Sequence, residues 1–305
     1  MKLGYGQSFA DYNPEEDFCC QLEPLTRVPD NAFAEARLCA RELYQKYQRP
    51  LNLCLSGGLD SEAMALAFLA EDIPIHVWTL RFNNNLNEED ICHATAFCQH
   101  HQIEQKFVDL DVINFYEQRR FEDYLHRYKS MSVEVAVQLW FLDQTPEPVI
   151  WGGQGFRALR RPDDEIRLQP ITQMEAVFFR YFQYTGKQGT PNFHFHSTPL
   201  IWSFFKTSLK LTHRLYPDDH VPEFYADKFQ FYKMAGFPLK EISARSQKLH
   251  GFEKVKIYFD ERLKKQQTDY QRYYRQWAES LYPYSKNARF VLPSIDPIRQ
   301  QLVHF

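Results

Sequence analysis

Glycine is scarce in this chain: 305 residues carry only 11 of them, about half of the roughly 7% of average usage. Cysteine is sparse too, at six, and no two form a C-x-x-C pair. That excludes a disulfide framework and points to a reducing cytoplasm as the default compartment. The longest apolar run, Ala63–Ala70, falls far short of the roughly 20 residues of a membrane helix. No apolar signal core precedes the early acidic residues Asp11, Glu15, Glu16 and Asp17, so no export sequence is expected. An excess of positive charge is also missing. Lys plus Arg is 36 against 39 Asp plus Glu, which argues against a surface built throughout for nucleic acid.

The glycines that are present are concentrated. Five of the 11 fall in Gly57-Gly58 and Gly152-Gly153-x-Gly155, each directly after a short apolar stretch. Such placement brings backbone close to a ligand at strand ends. With hydrophobic residues at 44% and aromatics at 16%, a sizeable core is available. Residues 1–30 read as irregular. From Asn31 an amphipathic helix runs to Pro50, followed by a strand at Leu51–Leu55, a helix at Glu62–Glu71, and a strand at IHVWTLRF (75–82). Next come a loop at 83–87, a helix at 88–101, a strand at 105–110, helical stretches at 112–128 and 131–143, and a strand at Pro148–Trp151. Strands alternating with helices predict a parallel sheet covered on both faces. Beyond about 165 the alternation stops, and 171–183, 199–214, 222–234 and 252–280 read as helices. The expected organisation is an irregular segment 1–30, an α/β domain 31–165 and a mainly helical region 166–305, the last two able to pack as one unit.

Strand, Ser56-Gly57-Gly58-Leu59-Asp60-Ser61, then helix is an arrangement that binds anions. Successive backbone N–H groups and the helix dipole converge on the loop, and the glycines let the backbone approach phosphate oxygens. Ser56 and Ser61 add hydroxyl donors. Asp60 is out of place beside phosphate unless a divalent cation bridges the two, which makes it the leading metal-ligand candidate. The alternative is a plain strand-to-helix turn with a Ser/Asp cap. A G-x-x-x-x-G-K-[ST] loop is excluded by spacing.

The segment SGGLDS resembles the pyrophosphate loop of the N-type ATP pyrophosphatases, the superfamily of asparagine synthetase, NAD synthetase, GMP synthetase and the tRNA-thiolating enzymes. The likeness spans about residues 31–160, is specific at Ser56–Ser61, and is greatest to the synthetase domain of asparagine synthetases. It implies a doubly wound parallel sheet of the adenine nucleotide alpha hydrolase-like kind, followed by the helical part that closes over it. It also implies ATP and Mg²⁺ as cofactors, with Leu55 and Leu80 near the adenine and ribose, and Gly152 and Gly153 at a second glycine-rich loop. The reaction implied is AMP- and pyrophosphate-forming. A substrate oxygen attacks the α-phosphorus, and a nitrogen nucleophile then displaces AMP.

The sequence also departs from that family. Too little chain precedes Ser56 for a glutaminase domain, so glutamine-fed amidation within this chain is not expected. The second loop, acidic in the family, reads Gly152-Gly153-Gln154-Gly155-Phe156-Arg157. Arg157, with Arg160 and Arg161, either meets an anionic substrate or the leaving pyrophosphate, or forms a solvated loop with Asp163, Asp164 and Glu165. Later, Arg245 and Lys248 share a face if their stretch is helical. They are candidates for a basic residue reaching the active site, against a solvated charged face. Cys92 and Cys98 read as core cysteines. His194-x-His196 offers two imidazoles on a strand, with no third ligand nearby. Lys264–Trp277 mixes basic and aromatic residues, read first as a packing helix and second as an RNA surface.

Taken together, these features point to an ATP-dependent ligase acting on a small molecule. One alternative is a nucleobase- or tRNA-modifying (thiolating or amidating) enzyme of the same superfamily. Another is an adenine-nucleotide-binding module without chemistry.

Overall fold

A computed structural model describes residues 2–5, 18–21, 23, 25, 27–130, 132–153, 158–160, 166–168, 173–215, 224–240, 250–275 and 289–291. Strands β1 (Lys2–Tyr5) and β2 (Phe18–Gln21) pair antiparallel. Helix α1 (Ala32–Tyr47) begins at Asn31, whose side chain accepts from the Ala34 N–H. It ends at Gln48 in a left-handed conformation, with Pro50 following. Its buried face is mostly small (Ala32, Ala36, Cys39, Ala40, with Leu43), which lets it lie close against its neighbours. Glu35 in its first turn is buried and accepts from Arg27 (2.6 and 2.5 Å) and from the Asp30 N–H (2.8 Å).

The central unit then follows in order: β3 (Leu51–Cys54), α2 (Leu59–Leu69), β4 (Ile75–Phe82), α3 (Glu88–His100), β5 (Gln105–Leu110), α4 (Val112–Glu117), α5 (Phe121–Tyr128), α6 (Val133–Gln144) and β6 (Val149–Ile150). Beyond it come a hairpin, β7 (Ala158–Arg160) with β8 (Ile166–Leu168), then α7 (Gln173–Thr185), β9 (Gly189–Thr190), α8 (Thr198–Leu215), α9 (Phe224–Met234), α10 (Phe252–Leu263) and β10 (Arg289–Val291).

Five strands form one parallel sheet in the order β5-β4-β3-β6-β9. Numbered along the chain this is 3-2-1-4-5, a doubly wound order that reverses between β3 and β6. The expected fold class is present. Strand β3 is buried on both sides: Leu51, Leu53 and Leu55 enter the main core with α1, α2, α3, α8 and α9, while Cys54 faces α6 and α7. The period-two alternation of a strand thus divides the two helical layers. Helix α2, lying in the middle, is apolar nearly all round and buried along most of its length.

Several elements differ from the sequence expectation. Residues 1–30 contain β1 and β2, and β10 joins β2 in parallel to make a separate three-stranded sheet. Helix α2 starts at Leu59 rather than Glu62. The 112–128 stretch is broken at Gln118–Arg120, with Arg119 left-handed. The 252–280 stretch stops at Leu263, where a 3-10 turn (264–266) and left-handed Gln267 intervene before a wide turn at 271–275. There the Tyr270 N–H turns to the Asp260 carboxylate (2.6 Å). The sheet's fifth strand, β9, lies in the stretch read as mainly helical, and the antiparallel partners β7 and β8 lie on either side of the expected boundary. No helix among the described residues is long and apolar enough to cross a membrane.

Candidate functional site

In a doubly wound sheet the ligand crevice opens at the carboxyl ends of the strands where the order reverses. Here that point lies between β3 and β6, and Gly57-Gly58 and Gly152-Gly153 sit on it, while Gly155 lies outside the described residues. Ser56–Gly58 follows β3, and Gly152–Gly153 follows β6. A Cβ on Gly152 would stand 3.5 Å from the Ser61 Cα, so the second loop lies directly against the start of α2. The structure therefore brings together Ser56, Gly57, Gly58, Leu59, Asp60, Ser61, Gly152 and Gly153.

Gly57 has φ +78°, and a Cβ there would meet the Asp90 carbonyl oxygen at 2.0 Å. Only glycine lets the loop pass this close to α3. The loop is braced from within by its two serines. The Ser61 hydroxyl donates to the Gly58 carbonyl (2.8 Å) and accepts from the Ser56 N–H (3.2 Å), while the Gly58 N–H donates to Ser56 Oγ (3.2 Å). Helix α2 has Gly58 as its N-cap, and no side chain caps it. Its first-turn N–H groups, which have no acceptor within the helix itself, make this helix start suited to an anion. Ser56 is exposed at the mouth, and Gly57, Gly58 and Leu59 form the buried floor. Leu55 is core, with its carbonyl accepting from the Thr79 hydroxyl (3.0 Å). Leu80 is half-buried near the end of β4, and its carbonyl accepts from Asn87.

The Asp60 carboxylate meets two side chains of α9. One oxygen pairs with the Lys228 ammonium and the other accepts from the Tyr232 hydroxyl at 2.5 Å. Asp60 and Lys228 side chains are each 16% exposed. Burial alone would raise the Asp60 pKa, but Lys228, His194 and the two hydrogen bonds outweigh it and bring it down to about 2. His194 stands behind the same residue, wholly buried on a 3-10 turn (Phe193–Phe195), with Nε2 3.0 Å from the Asp60 backbone oxygen. A carbonyl only accepts, so Nε2 carries the hydrogen. Burial, partly opposed by Asp60, lowers the His194 pKa. Asn192 packs its amide on Gly153, where a Cβ would overlap it at 2.2 Å.

The His194-x-His196 pair is not on a strand. His196 is directed toward Glu42 at 3.9 Å, and burial brings its pKa to about 4. No group of three or more His, Cys, Asp or Glu placed to hold a metal occurs among the described residues. Cys98 is buried, as expected, whereas Cys92 is exposed. Tyr270 and Tyr274 are spent in packing against Tyr116 and Phe259, while Tyr273 is 40% exposed. Arg157, Arg245 and Lys248 lie outside the described residues. The sequence reading passed over Lys228 and Tyr232. Their spacing, four apart on one helix and therefore on one face, was the available signal.

No family model matches the chain, and no curated protein matches it. Solved structures do. An NMN synthetase from Francisella tularensis aligns with TM-score 0.32 at 12% identity, over 86% of this chain and 97% of that one. A glutamine-dependent NAD+ synthetase from Acinetobacter baumannii, in complex with adenosine diphosphate, aligns with TM-score 0.33 at 11% identity, over 81% of this chain and 47% of that one. The chain thus spans about half the length of the latter. The fold assignment stands on the chain's own strand order, with Gly57-Gly58 and Gly152-Gly153 at the point where that order reverses.

Proposed function

We propose that the protein is an ATP-dependent, AMP- and pyrophosphate-forming ligase of the N-type ATP pyrophosphatase kind. The observation that carries this reading is the loop Ser56–Ser61, at the sheet's reversal point, leading into a helix start with no side-chain cap. The β- and γ-phosphates would lie on this loop and on the first N–H groups of α2, where backbone donors and the helix dipole meet negative charge. The ends of β3 and β4, with Leu55 and Leu80, would face the nucleoside. Gly152 and Gly153 would flank the α-phosphorus, leaving the β6 side of the crevice to the acceptor.

An acceptor oxygen attacks the α-phosphorus, pyrophosphate leaves, and a nitrogen nucleophile then displaces AMP. Such in-line chemistry asks the protein mainly for positioning and for charge neutralisation at the leaving group. Lys228 is the described cation at the loop and takes the second part. Magnesium bridging phosphates asks a chain for only one or two carboxylates. Asp60 meets that need in kind, although both its oxygens have protein partners. When bound, the ion would neutralise phosphate charge. A small-molecule acceptor is favoured over RNA, because Tyr270 and Tyr274 of the basic aromatic stretch serve the core.

The test is incubation with α-labelled ATP, with and without fractionated small-metabolite and tRNA pools. AMP that depends on one pool supports the reading and identifies the acceptor class. ADP as the main product overturns it. ATP binding without turnover in any pool leaves a nucleotide-binding module.

A further inference from the structure

Asp60 and Lys228 are opposite charges in contact at the start of α2. Asp60 is the second residue of α2, and Lys228 comes from α9, 168 positions later. Tyr232, four residues on from Lys228, reaches the other oxygen of the same carboxylate as a neutral group. The ammonium is thus held within a hydrogen bond of the helix turn where phosphate would bind. Paired with Asp60, its charge is cancelled at short range.

We propose that Asp60 and Lys228 act as a charge switch on the phosphate site. Asp60 holds Lys228 in check, and a phosphate group draws it away. This rests on the phosphate-loop reading above and adds to it how the site regulates its own affinity. The physical basis is competition for one cation between two anions. A carboxylate a few ångströms from a phosphate repels it, and in a partly buried site that repulsion is screened far less than in water. Lysine suits the role because its ammonium is a point charge on a flexible stem with three donors, able to move between acceptors without a fixed fork. A cation that engages Asp60 would release Lys228 in the same way.

The consequence is opposite in sign for the two residues. Without divalent cation, removing the Asp60 charge should strengthen phosphate binding, and removing the Lys228 charge should weaken it. The experiment is calorimetric titration of the full chain with inorganic pyrophosphate, first with a chelator and then with Mg²⁺, for wild type, Asp60→Asn, Lys228→Met, Lys228→Arg and the Asp60→Asn/Lys228→Met pair. Circular dichroism establishes that each variant is folded at the temperature used.

With chelator, Asp60→Asn is expected to bind about tenfold more tightly than wild type, and Lys228→Met about tenfold more weakly, each ~1.4 kcal/mol. Lys228→Arg should stay near wild type, and the double variant, which lacks both the attracting and the repelling charge, should bind more tightly than Lys228→Met but no more tightly than wild type. Weaker binding by Asp60→Asn under chelation, or a gain over wild type that survives in the double variant, overturns the switch. Equal binding by all variants overturns it while leaving the phosphate loop standing. Failure of wild type to bind pyrophosphate or ATP under either condition overturns the loop reading and the switch with it.

Discussion

Replacing Gly57 by alanine separates backbone strain from steric exclusion, because other glycines provide the controls. At Gly57 φ is +78° and the new Cβ would sit 2.0 Å from the Asp90 carbonyl oxygen, 3.0 Å from its carbon and 3.2 Å from the Ala94 nitrogen. All three are backbone atoms of α3, so no side chain can turn aside. Carbon contacts rest at ~3.5–4.0 Å, and α3 or the loop must shift by more than about 1 Å. The left-handed conformation costs an alanine ~1–2 kcal/mol, and overpacking against an unyielding wall adds ~1–3 kcal/mol. The total is about 3 kcal/mol. At Gly186 φ is +66° and nothing lies within 4 Å, so only the strain of ~1 kcal/mol applies. At Gly152 the nearest atom is at 3.5 Å, an ordinary contact, and alanine should change stability by less than ~0.5 kcal/mol. Urea unfolding followed by tryptophan fluorescence, with unchanged slope, reads the three values. If Gly57→Ala is no more destabilising than Gly186→Ala, the loop does not press on α3 and the reasoning fails.

Stability should also depend on acidity through Asp60. Its pKa is 3.8 ordinarily and about 2 in the folded chain, so the contribution is fully present above about pH 4 and lost as pH falls toward 2. Its size is ~2 kcal/mol. Urea midpoints across that window should show this loss in wild type and a smaller one in Asp60→Asn; parallel curves would refute the assignment. Thiol reactivity offers an independent check on the core. Burial pushes the thiols of Cys39, Cys54 and Cys98 up to about 12, whereas Cys92 is exposed. Among these four, alkylation of the native chain near pH 8 followed by peptide mass spectrometry should find Cys92 modified first. Equal labelling of Cys54 would mean that β3 is not the central strand.

The part of the fold that local pattern controls was legible. Strand β4 occupies the residues its alternation suggests, 75–82, and α1, α3 and β5 begin and end near their caps and breakers. The loop stood out because glycine is otherwise so rare. Elements made by distant pairing were not legible. Strand β9 is two residues, Gly189–Thr190, held by the edge of β6 rather than by any apolar period of its own. Strand β2 is completed by β10 from the far end of the chain. The site divides in the same way. Ser56–Ser61 and Gly152–Gly153 are local motifs, but the Asp60 contacts with His194, Lys228 and Tyr232 span 134 to 172 positions. Nothing near Asp60 in sequence announces them.

The central claim is that phosphate binds at Ser56–Ser61. Amide resonances of the isotopically labelled chain, followed during titration with pyrophosphate, test it most directly. The account predicts saturable shifts at Gly57, Gly58, Leu59, Asp60 and Ser61, with smaller ones at Gly152 and Gly153. The chain carries a basic concavity at the amino ends of the strands, lined by Lys46, Arg49 and Lys187. Shifts confined to that surface, with the Ser56–Ser61 amides unmoved, would contradict it.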